Sequence, residues 1–194
     1  MSLSSFFCKQ IFRLSGWTVD TNLPPEIKKS IIIAAPHTSN WDFWYAMASF
    51  SIYRLRIRFT IKKEWMRFPF GLLMKPLGGI GIDRTPRTAG AERRSFVEAM
   101  IDLFQQNEEL IILITPEGTR SRQDKWKTGF YHVALGAGVP ICLGYVDYQN
   151  KKAGIGKVIY PTDFATDMRT MMDFYRNIHP KYPENFALDQ QFAA

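Results

Sequence analysis

Short apolar runs alternate along the chain with stretches of helical spacing, and the alternation predicts an α/β protein. Residues 31–35 form an unbroken apolar run that stops at Pro36, the pattern of a strand buried on both faces. Residues 40–54 have the length and composition of a helix. Arg56, Arg58 and Thr60 then alternate with Ile57, Phe59 and Ile61, which predicts a half-exposed strand. Residues 65–74 read as a short helix or loop, 79–83 as a strand and 88–106 as a strong helix. Residues 110–115 repeat the pattern of an apolar strand halted by a proline, Pro116. A helix over 129–135 closes at Gly136, Ala137 and Gly138; a strand over 139–146 follows, and 152–160 predicts an edge strand. Met168, Met171, Met172 and Tyr175 recur at helical spacing and predict a core-facing stripe rather than a cofactor site.

No internal repeat, low-complexity tract or long linker divides the 194 residues, so a single domain is expected. Its fold class is α/β, with a largely parallel or mixed central sheet flanked by helices. Residues 1–30 would be an amphipathic N-terminal segment, 31–146 the core, and 147–194 a C-terminal strand and helix. Hydrophobic residues at 46% and charged residues at 22% exclude a disordered tail, a collagen-like repeat and a coiled coil.

Charge narrows the partners. Twenty-five Lys and Arg against 18 Asp and Glu give a net +7, which favours phosphate-bearing partners: nucleic acid, an anionic membrane or a phosphorylated substrate. Aromatic residues at 14% suit a membrane surface as well as nucleic acid, but no RNA-binding or helix-turn-helix signature is present. No nucleic-acid partner is therefore expected. Cys8 and Cys142 lack the spacing of a metal or redox site and point to a reducing compartment. No run approaches the ~20 apolar residues needed to cross a bilayer. The longest, residues 43–53, contains Ser49 and Ser51 and reads as a core helix. Residues 1–17 have no basic start and no small-residue cleavage site, so they do not read as a secretory signal. Leu3, Phe6, Phe7, Phe12 and Leu14 fall there among Lys9, Gln10 and Arg13. That segment fits an amphipathic helix lying on a membrane and fits packing against the domain equally.

Chemistry-bearing residues cluster just past predicted strand ends, where sites form in open α/β sheets. His37 leads into Thr38, Ser39, Asn40, Trp41 and Asp42 directly after the first apolar strand. Five residues turn about 500° on a helix, so the pair does not share a helical face. The spacing suits a His in the loop and an Asp in the first helical turn, reaching back to fix the imidazole tautomer. Ser39 with Asp42 three residues on is also an acidic capping box, which explains the Asp by itself. Gly78 to Arg84 is a glycine-rich strand ending in Asp83-Arg84, without the third glycine of a dinucleotide fingerprint. Glu117, Gly118, Thr119 and Arg120 crowd the end of the second apolar strand, with Arg122, Lys125 and Lys127 adding positive charge. Glycine admits a close-lying ligand there, and the Arg fork suits a phosphate. Val139, Pro140 and Ile141 open the next strand. His132 reads as a satisfied core residue and His179 as part of a polar tail.

Taken in order, these four segments resemble the glycerolipid acyltransferase superfamily, which includes the 1-acylglycerol-3-phosphate acyltransferases. The resemblance spans residues 31–145. His37 and Asp42 match its first motif, the strand ending at Arg84 its second, Glu117 to Arg120 its third, and Val139 to Ile141 its fourth. Lys127 matches the basic residue downstream of the third motif. The resemblance implies transfer of a fatty acyl group from a thioester, acyl-CoA or acyl carrier protein, to a lysophospholipid hydroxyl such as that of 1-acylglycerol-3-phosphate. His37 would be the general base and Asp42 its orienting partner; Arg84, Glu117, Gly118, Thr119, Arg120 and Lys127 would bind substrate. Neither a metal nor a further cofactor is implied, because the thioester is already activated. An anionic membrane surface is the implied setting, with peripheral or monotopic attachment on its cytoplasmic side. Family members often carry hydrophobic N-terminal helices; here about thirty residues precede the first predicted strand, so a short anchor is expected. Non-glycerophosphate acceptors such as a lyso-ornithine lipid use the same motifs, and a non-catalytic basic membrane-binding module is the reading from another class.

Overall fold

The structure is a computed structural model that describes residues 3–62, 66–68, 71–72, 78–82 and 95–193. Among these, seven strands form one sheet in the order β1-β7-β6-β2-β5-β3-β4. The strands are β1 Thr18–Thr21, β2 Lys29–Ala34, β3 Ile57–Lys62, β4 Gly79–Ile82, β5 Leu110–Ile114, β6 Ile141–Asp147 and β7 Lys152–Ile159. Five helices accompany them: α1 Leu3–Leu14, α2 Asn40–Ile52, α3 Phe96–Gln106, α4 Gly129–Ala137 and α5 Phe164–Tyr175. β6, β2, β5, β3 and β4 run parallel, and only the β6–β7 pair is antiparallel. The sheet is mixed, as expected.

Unbroken apolar runs in β2, β5 and β6 follow from burial on both faces. Ile31, Ile33, Ile112, Ile141 and Leu143 point to a core built with Met100, Phe104, Phe130, Met168, Met171 and Met172 of α3, α4 and α5. The intervening Ile32, Ile111, Leu113 and Cys142 meet Phe12, Trp17, Ala46 and Phe50 on the α1–α2 side. The methionine stripe is core, as its spacing predicts. Tyr175, fully buried, donates its hydroxyl to the carbonyls of Ile33 and Gly144 and so ties α5 to the ends of β2 and β6.

Three expectations are corrected. The strand over 152–160 is not an edge: β1 pairs with it in parallel, from Thr18↔Lys152 to Thr21↔Ile155. Gly154 makes that pairing possible, because it sits at φ +140° and a Cβ there would collide with the Asp20 carbonyl. The helix expected over 88–106 begins at Phe96, where Ser95 caps it and Glu98 closes a capping box; residues 88–94 of that expectation lie outside the described residues. His132 is exposed, its ring stacked on Phe164 with centroids 5.7 Å apart. A four-residue strand with one apolar residue, Val19, carries too weak a periodicity to be seen in sequence.

Candidate active site

β2 and β5 are parallel neighbours in register Ile33↔Ile114, so the chain leaves both strand ends side by side. His37 and Glu117 meet for that reason: the His37 N–H donates to Glu117 Oε1 at 3.2 Å across 80 residues of sequence. α2 starts three residues after His37 and turns Asp42 back towards it. Asp42 Oδ2 accepts the N–H groups of Thr38 (2.7 Å) and Ser39 (2.8 Å) and lies 3.5 Å from His37 Nδ1. The Ser39–Asp42 capping box is formed as well. One carboxylate therefore both starts the helix and faces the imidazole. With Nδ1 turned to Asp42, Nε2 is the ring nitrogen left to take a proton.

A cavity of about 490 Å³ opens over these strand ends. His37, Asp42, Thr115, Gly118 and Lys127 contribute its polar wall, while Phe43, Phe50, Phe59, Leu113, Phe130 and Val146 make much of the rest apolar. Gly118 sits at φ +70°, in the left-handed region, and a Cβ there would run into the Lys127 ammonium end. Lys127 is brought back to this turn by its N–H, which donates to the Pro116 carbonyl at 2.9 Å.

Glu117 is not part of the cavity wall. It is 5% exposed, its Oε2 has no hydrogen-bond partner among the described residues, and burial pushes its pKa up to about 8. The His37 N–H works against that rise and the charge of Asp42 adds to it. Arg120 is exposed and makes no hydrogen bond or ion pair among the described residues, so it does not pair with the buried Glu117. Thr119 is exposed and accepts the Ser121 N–H. Arg84, the remaining expected residue, lies outside the described residues. Among the described residues no cluster of three His, Cys, Asp or Glu side chains converges as a metal site needs.

Sequence reasoning missed two features. Tyr148, just past β6, donates its hydroxyl to Asp42 Oδ1 at 2.7 Å. Residues 177–193 form a strap that reaches both the 36–39 loop and the 116–128 loop. Tyr182 N–H reaches Thr38 Oγ1 at 3.4 Å, and the buried Trp126 donates from its main chain to Asp189 and from its indole to the Ala187 carbonyl. The signal for Tyr148 was the strand order: β6 runs parallel beside β2, so its end faces the same crevice.

The acyltransferase family profile matches residues 17–143, which include His37, Asp42, the 117–120 turn, Lys127 and Val139 to Ile141. The chain belongs to the acyltransferase family. Among its relatives, a 1-acyl-sn-glycerol-3-phosphate acyltransferase of Salmonella typhimurium is 30% identical over 151 residues, 75% of this chain and 59% of that protein. That of Haemophilus influenzae is 31% identical over 140 residues, 68% of this chain and 55% of that protein. This acyltransferase chain thus spans less than two thirds of the length of these relatives. The crystal structure of the 1-acyl-sn-glycerophosphate (LPA) acyltransferase PlsC from Thermotoga maritima shares the fold. The TM-score is 0.55 at 18% identity, over 90% of this chain and 75% of that one.

Proposed function

We propose that the protein transfers a fatty acyl group from a thioester to the hydroxyl of a lysophospholipid, with 1-acylglycerol-3-phosphate as the favoured acceptor. The observation that carries this reading is the His37–Asp42 pair set in the wall of a cavity that is largely apolar and bordered by Lys127. His37 Nε2 takes the proton of the acceptor hydroxyl as its oxygen attacks the thioester carbonyl. The tetrahedral intermediate collapses, the carbon–sulfur bond breaks, and the imidazolium returns the proton to the leaving thiolate. An ester and a thiol result. Asp42, 3.5 Å from Nδ1, orients the ring so that Nε2 faces the acceptor. Glu117 holds the His37 loop against the 117–120 turn rather than touching substrate. Lys127 at the cavity and the exposed Arg120 supply charge for the acceptor's phosphate.

An exposed apolar face supports work at a lipid surface. Phe7, Ile11 and Leu14 of α1 and Trp41 and Trp44 of α2 stand 55%, 62%, 86%, 56% and 65% exposed, and α1 packs along α2. No helix of the described residues is long and apolar enough to cross a membrane. Peripheral attachment through this face fits, and the free Cys8 and Cys142 fit the cytoplasmic side.

The test is labelled acyl-CoA and acyl carrier protein offered with a panel of lysolipids. Transfer to lysophosphatidate at least ~10-fold above that to a lyso-ornithine lipid, lost ~10²-fold or more in His37→Ala, is expected. Preference for the neutral-headgroup acceptor would replace the acceptor. Vesicle binding without transfer to any acceptor would leave a binding module.

A further inference from the structure

Asp42 has two oxygens, and they are held by different parts of the chain. Oδ2 is committed to the Thr38 and Ser39 N–H groups and to His37. Oδ1 accepts the Tyr148 hydroxyl at 2.7 Å, a bond spanning 106 residues. A carboxylate held through one oxygen alone can rotate about its Cβ–Cγ bond; held through both, its plane is set. Tyr148 is itself well fixed. Its N–H donates to the His179 carbonyl at 2.9 Å, and its ring stands edge-on to Trp17 and Tyr45 at 5.5 and 5.6 Å. The Lys181 ammonium lies 6.0 Å above the same ring. Burial and the charge of Asp42 hold the phenol protonated, so it remains a donor at working pH.

We infer that Tyr148 is a positioning residue for the His37–Asp42 pair, pinning Asp42 Oδ1 so that Oδ2 stays aimed at His37 Nδ1 as the imidazole gains its proton. This rests on the reading of His37 as the base. Tyr148 lies beyond the stretch 17–143 that the family profile matches. The competing explanation is a plain tether, in which the hydroxyl only ties the end of β6 to α2.

A double-mutant cycle separates the two, with the best acceptor of the lysolipid panel. Tyr148→Phe keeps the ring contacts and should lower kcat about five- to tenfold, the scale of one hydrogen bond, with both KM values within about twofold. In an Asp42→Ala background the same change should lower kcat no further. Fluorotyrosine at position 148, which restores ring and hydroxyl, should recover at least half the native kcat and covers the case in which the Phe variant does not fold. Native kcat in folded Tyr148→Phe, or an equal loss with and without Asp42, overturns the inference. If His37→Ala keeps the native rate, the base reading falls and takes the inference with it. If His37→Ala is inactive while Tyr148→Phe is native-like, the inference alone falls.

Discussion

Glu117 is held as the neutral acid near pH 7, because burial outweighs the single N–H it accepts from His37. Its folded pKa of about 8 exceeds the ordinary 4.5, so the native state binds the extra proton between those values. Stability then falls as pH rises through that window, and the loss is absent below it. Glu117→Gln, which keeps an acceptor for the His37 N–H, should remove the slope. Urea unfolding should find the Gln variant more stable than native by on the order of 3 kcal/mol at pH 8 and by little near pH 5. Equal offsets at both pH values would mean Glu117 is ionised in the fold. Arg120 is the opposite case, exposed and without a partner among the described residues, so its removal should leave unfolding unchanged. Arg120→Lys keeps the charge but not the fork. It should lower kcat/KM for lysophosphatidate about tenfold while the thioester KM holds, which steady-state kinetics would read directly.

At the scale of elements, the C-terminal strap ties the 36–39 loop to the 116–128 loop. Asp189 is fully buried and accepts the Trp126 N–H at 3.0 Å, so Asp189→Ala strands a buried donor. A loss of about 1–3 kcal/mol in urea unfolding is expected, with activity falling in step. A native midpoint would show the strap to be dispensable. The central strands were legible beforehand because β2, β5 and β6 are apolar on both faces and end at prolines or polar residues. His37, Asp42 and Glu117 were legible because strand ends converge in such sheets. Other features were not. β1 shows no period of its own and exists because β7 offers it an edge. Tyr148 acts through a contact 106 residues away, which depends on the order of strands rather than on any local pattern. His132 misled because the helix around it is apolar, while its own ring lies outside on Phe164.

For the whole molecule, the proposed function makes net charge +7 and the exposed aromatic residues act on the same event, arrival at a lipid surface. Sedimentation with vesicles should show at least ~10-fold stronger partitioning to anionic than to neutral bilayers at low salt. The difference should shrink in 0.5 M salt as screening shortens to a few Å. Trp44→Ser, at a side chain that does not itself line the cavity, should weaken partitioning several-fold at either salt. Partitioning indifferent to lipid charge, salt and Trp44 would count against this face. The placement of the tryptophans also gives the molecule built-in reporters. Trp41 and Trp44 are open to solvent, whereas Trp126 is sealed at 2% exposure against the strap. A quencher dissolved in the buffer reaches Trp41 and Trp44 but not Trp126, and lipid will shield the exposed pair on docking. Variants that keep Trp44 or Trp126 as the single tryptophan would therefore follow docking and the packing of the strap separately, without an added label.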